Sequence, residues 1–250
     1  MNIETSSPTN ITTKLNNAAR TGRQERQAKS IHASGYFNCI LMQWYGLQGT
    51  PKTDESWEPE WEFAAEVGNA IHDIVQKRLE LAKIALMIPK YDNSTKELFP
   101  AVEVPLDSVW LPSDVAEEVR RYRIGGRIDA IVNTANGPAI FEIKTAGANA
   151  LDPKWFGEKL VHYGAQVQLY MHFFRYNGQR IEKAYIYVIN SSNYKDVRMY
   201  TMPYDPKFVE GEIERINNLV WALFENVKPE AEPERRSCKF CGWKKLCEKG

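Results

Sequence analysis

Two carboxylates and a lysine in the middle of the chain have the types and spacing for chemistry on a phosphate ester. They lie in Gly126-Arg-Ile-Asp129 and, beyond Asn133-Thr-Ala-Asn-Gly137, in Glu142-Ile-Lys144-Thr145. Residues two apart on a strand point to one face, so Glu142 and Lys144 project together. Asn-Gly between two apolar runs predicts a hairpin. With Asn136-Gly137 as its two-residue turn, position 135 pairs with 138 and Asp129 stands opposite Lys144, with Glu142 one diagonal step away. A loop longer by two residues at each end keeps that parity. Two hard carboxylates hold Mg²⁺ or Mn²⁺. Such a metal polarises a phosphate and acidifies water, and a neighbouring ammonium offsets the charge growing on the phosphate. On a solvated strand the same residues would make an ordinary Asp–Lys cross-strand pair, and E-x-K below an upstream Asp also arises by chance.

The surroundings shift that balance. Gly68 and His72 are four apart on a helical stretch and so share a face. Gly68 leaves room for another segment to approach, and His72 borders the apolar stripe, within reach of a metal. Gln166 and Tyr170 are likewise one turn apart, with His162 one turn earlier. Glutamine hydrogen-bonds phosphates and bases, and tyrosine stacks on bases. Each pair alone would read as the edge of an amphipathic helix. Net charge is zero, from 32 basic and 32 acidic residues, so bulk charge gives no support to nucleic-acid binding and distribution must be considered instead. Lys14, Arg20, Arg23, Arg26 and Lys29 form one basic cluster. Arg120, Arg121, Arg123 and Arg127 crowd the approach to Asp129. Arg235, Arg236, Lys239, Lys244, Lys245 and Lys249 surround the last cysteines. Three clusters beside the candidate sites favour a phosphate-facing role over solvated faces.

The elements that would position these residues alternate between helix and strand. Ser34 is a candidate cap for a short helix carrying Tyr36, Phe37, Cys39, Ile40, Leu41 and Trp44. Phe63, Val67, Ile71, Ile74, Val75, Leu79 and Ala82 recur at helical spacing over 61–87, and Pro89 is the expected stop. Strands are predicted over 101–106, 124–132, 139–144 and 184–189, and helices over 163–174 and 206–226. The order predicts an α/β core with a cysteine-bearing cap drawn from both ends. Residues 1–30 read as a polar, partly basic N-terminal arm, and 31–250 as a single domain. Within it the core spans about 60–200 and the cap about 31–50 and 227–250. With 43% hydrophobic and 26% charged residues the composition is that of a globular chain. There is no apolar run of membrane-spanning length, and the first residues, which lack an apolar stretch, are not expected to act as a secretory leader. The expected setting is the cytoplasm of a bacterium, an archaeon or a phage-infected host.

The ordered set resembles the RecB-like branch of the PD-(D/E)XK nucleases: G-x-x-x-H at Gly68–His72, G-x-x-D at Gly126–Asp129, E-x-K-T at Glu142–Thr145 and Q-x-x-x-Y at Gln166–Tyr170. The resemblance implies a restriction-endonuclease-like fold, a central mixed sheet flanked by helices. It implies that His72, Asp129, Glu142 and the carbonyl of Ile143 bind the catalytic Mg²⁺ or Mn²⁺, with Asp129, Glu142 and Lys144 catalytic. Gln166 and Tyr170 would contact the DNA strand, and Arg127 is a further candidate for that contact.

Four cysteines complete the reading: Cys39, then Cys238, Cys241 and Cys247 in C-x2-C-x5-C. A C-terminal trio is no disulfide framework. Cys39 in an apolar helix could be a buried structural thiol, but it is the only residue left to supply a fourth sulfur, which zinc and a 4Fe–4S cluster both require. The arrangement is similar to the iron–sulfur staple of the CRISPR-associated iron–sulfur exonucleases and the AddB nuclease domain. That likeness implies a 4Fe–4S cluster, with structural Zn²⁺ as the alternative. The chain departs from the pattern after Cys39, where Ile-Leu-Met-Gln-Trp lacks a basic residue, and in its long polar arm. The expected activity is a DNA exonuclease acting on single-stranded or frayed ends in recombination, repair or CRISPR spacer processing. A helicase, recombinase or CRISPR integrase would be its partner. The competing expectations are a catalytically silent DNA-end-binding or scaffolding subunit and a zinc-stabilised structural protein.

Overall fold

A computed structural model describes residues 30–53, 59–89, 98–106, 123–147, 153–176, 178–235, 238 and 241–247. The N-terminal arm up to residue 29, with Lys14, Arg20, Arg23, Arg26 and Lys29, lies outside the described residues. So do Arg120, Arg121, Arg236, Lys239 and Lys249. The described elements are β1 (Ser30–His32), α1 (Ile40–Leu47), α2 (Pro59–Leu81), β2 (Met87–Pro89), β3 (Leu98–Pro100), β4 (Val102–Leu106), β5 (Arg123–Thr134), β6 (Gly137–Ala146), α3 (Pro153–Tyr176), β7 (Lys183–Asn190), β8 (Val197–Pro203), α4 (Pro206–Phe224) and α5 (Lys244–Cys247).

The strands form a mixed sheet in the order β1-β5-β6-β7-β8, with β4 also paired to β5, and β2 and β3 make a separate antiparallel pair. β6 and β7 run parallel and α3 is the crossover between them. Helices cover both faces. Ile71, Val75 and Leu79 of α2 pack with Ala130, Val132, Ala139, Phe141 and Ile143. Ala165, Leu169, Met171, Ile216, Leu219 and Leu223 of α3 and α4 pack with Ile140, Ala184, Ile186 and Val188. Residues 139–143 of β6 are therefore buried without a break, as a strand covered on both sides must be. This is the α/β restriction-endonuclease-like arrangement, a mixed sheet between helices.

Several boundaries differ from the sequence reading. The first short helix starts after Cys39, not at Ser34, which sits in a turn. Helix α2 stops at Leu81 rather than near Pro89: Lys83 turns left-handed at φ 56°, and Ala85 bridges Val132. Its buried stripe is Ile71, Val75 and Leu79, whereas Phe63 and Ile74 face outward. Helix α3 begins ten residues earlier than its apolar spacing implies. β1, the β2–β3 pair and β8 had no sequence counterpart. β8 is an edge strand with no fully buried residue, so it carries almost none of the apolar signal by which strands are read.

Candidate active site

The hairpin turn sets the geometry. Thr134 pairs with Gly137 and Ala130 with Phe141, so the turn residues are Ala135 and Asn136 rather than Asn136 and Gly137. Gly137 takes φ +99°, so the positive φ falls on the residue after the turn rather than inside a two-residue type I′ turn, and pairing continues unbroken from there. The register is thus displaced by two from the expected one, which brings Asp129 toward Glu142 instead of Lys144. Because the slip is even, the face is unchanged.

Beyond Ala130 the paired register of β5 and β6 ends, and side chains take over the backbone's partners. Asp129 Oδ2 accepts the Ile143 N–H at 2.7 Å. Tyr170 OH donates to the Arg127 carbonyl at 2.9 Å and accepts from Gln166 Nε2 at 2.7 Å. His72 Nδ1 on α2 lies 3.3 Å from Asp129 Oδ1. Lys144 Nζ donates to Glu142 Oε1 at 2.6 Å and to Gln166 Oε1 at 3.0 Å, and lies 5.1 Å from the centre of the Tyr163 ring. Gly68 permits the approach of α2: a Cβ there would stand 3.2 Å from Thr145 Oγ1. His72, Asp129, Glu142, Lys144, Gln166 and Tyr170 are therefore one connected network. The side chain of Glu142 is 2% exposed, against 25% for His72 and 17% for Lys144, so the network meets solvent at the imidazole and the ammonium.

Electrostatics set Glu142 apart. Its Oε2 is buried and has no partner among the described residues. Burial pushes this carboxyl up to about 7, against the pull of the adjacent Lys144 charge. Burial opposes the charged forms of His72 and Lys144 as well. There the carboxylates win: Asp129 holds the imidazole above its usual range, and Glu142 does the same for the ammonium. A buried unpaired carboxylate oxygen is costly and suits a cation. The donor set, two carboxylates and one imidazole beside the Ile143 carbonyl, fits Mg²⁺ or Mn²⁺. Among the described residues, however, no three His, Cys, Asp or Glu side chains are assembled to grip an ion as they stand. Asp129 is engaged by His72 and Ile143, and one oxygen of Glu142 by Lys144, so those bonds must exchange for a metal to be held.

Other candidates fall elsewhere. Tyr170 is 1% exposed and offers no ring face to a base; it holds Gln166 and the Arg127 backbone. His162 packs edge-on against Phe37, away from the carboxylates. Arg127 is exposed and paired with Glu103 at 3.0 Å. Arg235 is turned inward to Glu212 at 2.7 Å and lies over the Phe37 ring, which removes it from the expected basic surface. Three residues that the sequence reading passed over join the site: Gln76, Glu103 and Tyr163. Gln76 follows His72 by one helical turn and Tyr163 precedes Gln166 by one, so both spacings were legible. Glu103 was not, because its place depends on how β4 pairs with β5.

The cysteines also gather. Cys39 precedes α1 and is buried with Leu41, Tyr45 and Trp243, and Cys241 and Cys247 pack on the same cluster. Cys238 is exposed. Burial raises the Cys241 thiol, and charge on Cys39, Cys238 and Cys247 would raise it further. The Glu232 N–H donates to Cys39 Sγ at 3.4 Å.

Over residues 60–248 the chain matches the PD-(D/E)XK nuclease superfamily. The chain belongs to this superfamily. The span matched to the PD-(D/E)XK family takes in the whole side-chain network and reaches Cys247. No curated protein matches the chain in sequence. Among solved structures, the crystal structure of SSO0001 is similar at a TM-score of 0.51 and 19% identity, over 95% of this chain and 96% of that one. The alkaline exonuclease LHK-Exo from Laribacter hongkongensis is similar at a TM-score of 0.47 and 11% identity, over 80% and 90%. No described helix is long and apolar enough to cross a membrane.

Proposed function

We propose that this PD-(D/E)XK chain is a metal-dependent deoxyribonuclease of the RecB-like kind, an exonuclease hydrolysing phosphodiester bonds at single-stranded or frayed DNA ends. The observation that carries this reading is the orphaned Glu142 Oε2, buried between Asp129, His72 and Lys144. His72, Asp129, Glu142 and the Ile143 carbonyl would hold Mg²⁺ or Mn²⁺, which when bound supplies Lewis acidity toward the phosphate. Lys144 is the catalytic lysine: its ammonium stabilises charge developing on the phosphate and orients the attacking water. Gln166 and Tyr163 fix where that ammonium stands, and Tyr170 fixes Gln166 and the β5 backbone. Arg127 reaches the DNA strand, and the buried Gln166 and Tyr170 support the site from beneath. A helicase, recombinase or CRISPR integrase would present the ends.

Cys39, Cys238, Cys241 and Cys247 would ligate a 4Fe–4S cluster that ties the two ends of the described chain together. Three thiols on one apolar cluster, with Cys238 exposed and close enough to bear on Cys241, support this, and Zn²⁺ would need the same four. Protein purified without oxygen distinguishes them: brown colour with iron and acid-labile sulfide in equal amounts supports the cluster, and a colourless zinc protein replaces it.

The activity itself is tested with end-labelled single-stranded DNA and Mn²⁺. Cleavage is expected in the wild type. In Lys144→Ala and Asp129→Ala it falls by about 10²-fold or more, the scale of losing a group that stabilises transition-state charge, with an unchanged circular dichroism spectrum. A wild type that binds DNA yet leaves it intact with every divalent metal would instead support the silent end-binding subunit.

A further inference from the structure

One described residue with a left-handed backbone lies beside the site and has been given no role above. Glu103 adopts φ +51°, a left-handed conformation that costs a non-glycine residue energy and persists only where surrounding interactions impose it. It stands between the pairs Val102↔Ala130 and Val104↔Ile128, directly across from Asp129. Both its carboxylate oxygens are used. Oε1 accepts from Gln76 Nε2 at 2.6 Å, and the same amide donates to the Asp129 carbonyl at 3.1 Å. Oε2 accepts from Arg127 Nη1 at 3.0 Å. An ion pair this exposed stabilises a fold very little, so it does not repay a strained backbone.

We propose that Glu103 is a positioning residue that holds Arg127 at the mouth of the site as an anchor for a backbone phosphate of the nucleic-acid strand. Arg127 is two residues from Asp129, its backbone carbonyl is held by Tyr170, and its guanidinium is 65% exposed. A guanidinium held on one edge by a carboxylate keeps its other N–H groups for a phosphate. Gln76 completes the brace by linking Glu103 to α2, one turn from His72. Glu103 itself touches no substrate. The proposal rests on the nucleic-acid reading of this site, though not on catalysis.

The test is a double-mutant cycle on Glu103→Gln and Arg127→Gln, read first as binding of a fluorescein-labelled oligonucleotide in Ca²⁺ and then as cleavage in Mn²⁺. Arg127→Gln lowers the slope of log affinity against log salt by roughly 0.7, one single-strand phosphate contact. Glu103→Gln weakens binding about fivefold and raises KM in step, with kcat within about twofold, and the double variant binds no worse than Arg127→Gln alone. Glu103→Gly, which accepts the left-handed backbone, loses the same binding without losing Tm, which a merely structural role would not allow. Unchanged or tighter binding in Glu103→Gln, as simple removal of a negative charge would give, overturns the proposal. So do additive losses, a fall in kcat at constant KM, or a wild type that binds no oligonucleotide. If the wild type binds but never cuts, the nuclease reading fails while the binding cycle still decides the role of Glu103.

Discussion

Glu142 is the residue on which the proposed chemistry turns, because it is an acid buried where nothing among the described residues satisfies its second oxygen. A protein that keeps such an oxygen gains stability from any cation that reaches it. Mn²⁺ at about a hundred times its dissociation constant would stabilise the folded state by roughly 2.7 kcal/mol, which raises Tm by roughly 5–10 °C in a chain of this size. Glu142→Gln keeps the shape and removes the charge, so that gain should disappear in a thermal melt run with and without the metal. Sequence spacing alone brought Glu142 and Lys144 together, since strand parity is a local property. It could not show that one oxygen would be left over, because that depends on Lys144, Gln166 and Tyr163, residues from two separate elements meeting in space.

Among elements, the hairpin shows how a wrong register can leave a site reading intact. Asn-Gly signalled the turn, but the chain places Ala135 and Asn136 in it and assigns the positive φ to Gly137. The displacement by two exchanges which residue faces Asp129 without moving any side chain to the other face. The contact of α2 with β6 was legible only as a small residue one turn from a histidine. Its tolerance is narrow: Gly68 leaves 3.2 Å between a would-be Cβ and Thr145 Oγ1. Gly68→Val therefore has to push α2 away from the strand that carries Lys144. The expected outcome is a loss of about 1–3 kcal/mol in chemical denaturation and a larger proportional loss of cleavage than of DNA binding. Gly68→Ala is milder on both. β8 and the β2–β3 pair remained invisible to sequence patterning, because neither has a fully buried face and β8 alternates only between exposed and half-buried positions.

At the scale of the whole molecule the ends are joined by more than their cysteines. Arg215 of α4 donates to Glu212 and Glu232, both at 2.9 Å, to the Asn38 carbonyl at 3.2 Å and to the Tyr36 carbonyl. Glu232 in turn accepts the Ile40 N–H at 2.7 Å. This clasp surrounds Cys39 before any metal is considered. Its members are separated by almost 200 residues of sequence, so no local pattern announces it. Arg215→Met would leave Glu232 part-buried without its cation and the buried Glu212 with Arg235 alone. The expected cost is about 3–5 kcal/mol in urea denaturation, with the same loss in protein stripped of its metals. If the loss appeared only in metal-loaded protein, the cysteines and not the clasp would be closing the chain.

The phenol of Tyr36 donates to the carbonyl of Ala165 at 2.8 Å, and the next residue along is Gln166, which steadies the lysine of the network. Three positions beyond Tyr36 is Cys39. Tyr36 and its neighbour Phe37, which packs on His162, therefore tie the segment before Cys39 to α3, and oxidative damage to that thiol would reach the proposed reaction centre as a mechanical disturbance rather than a chemical one.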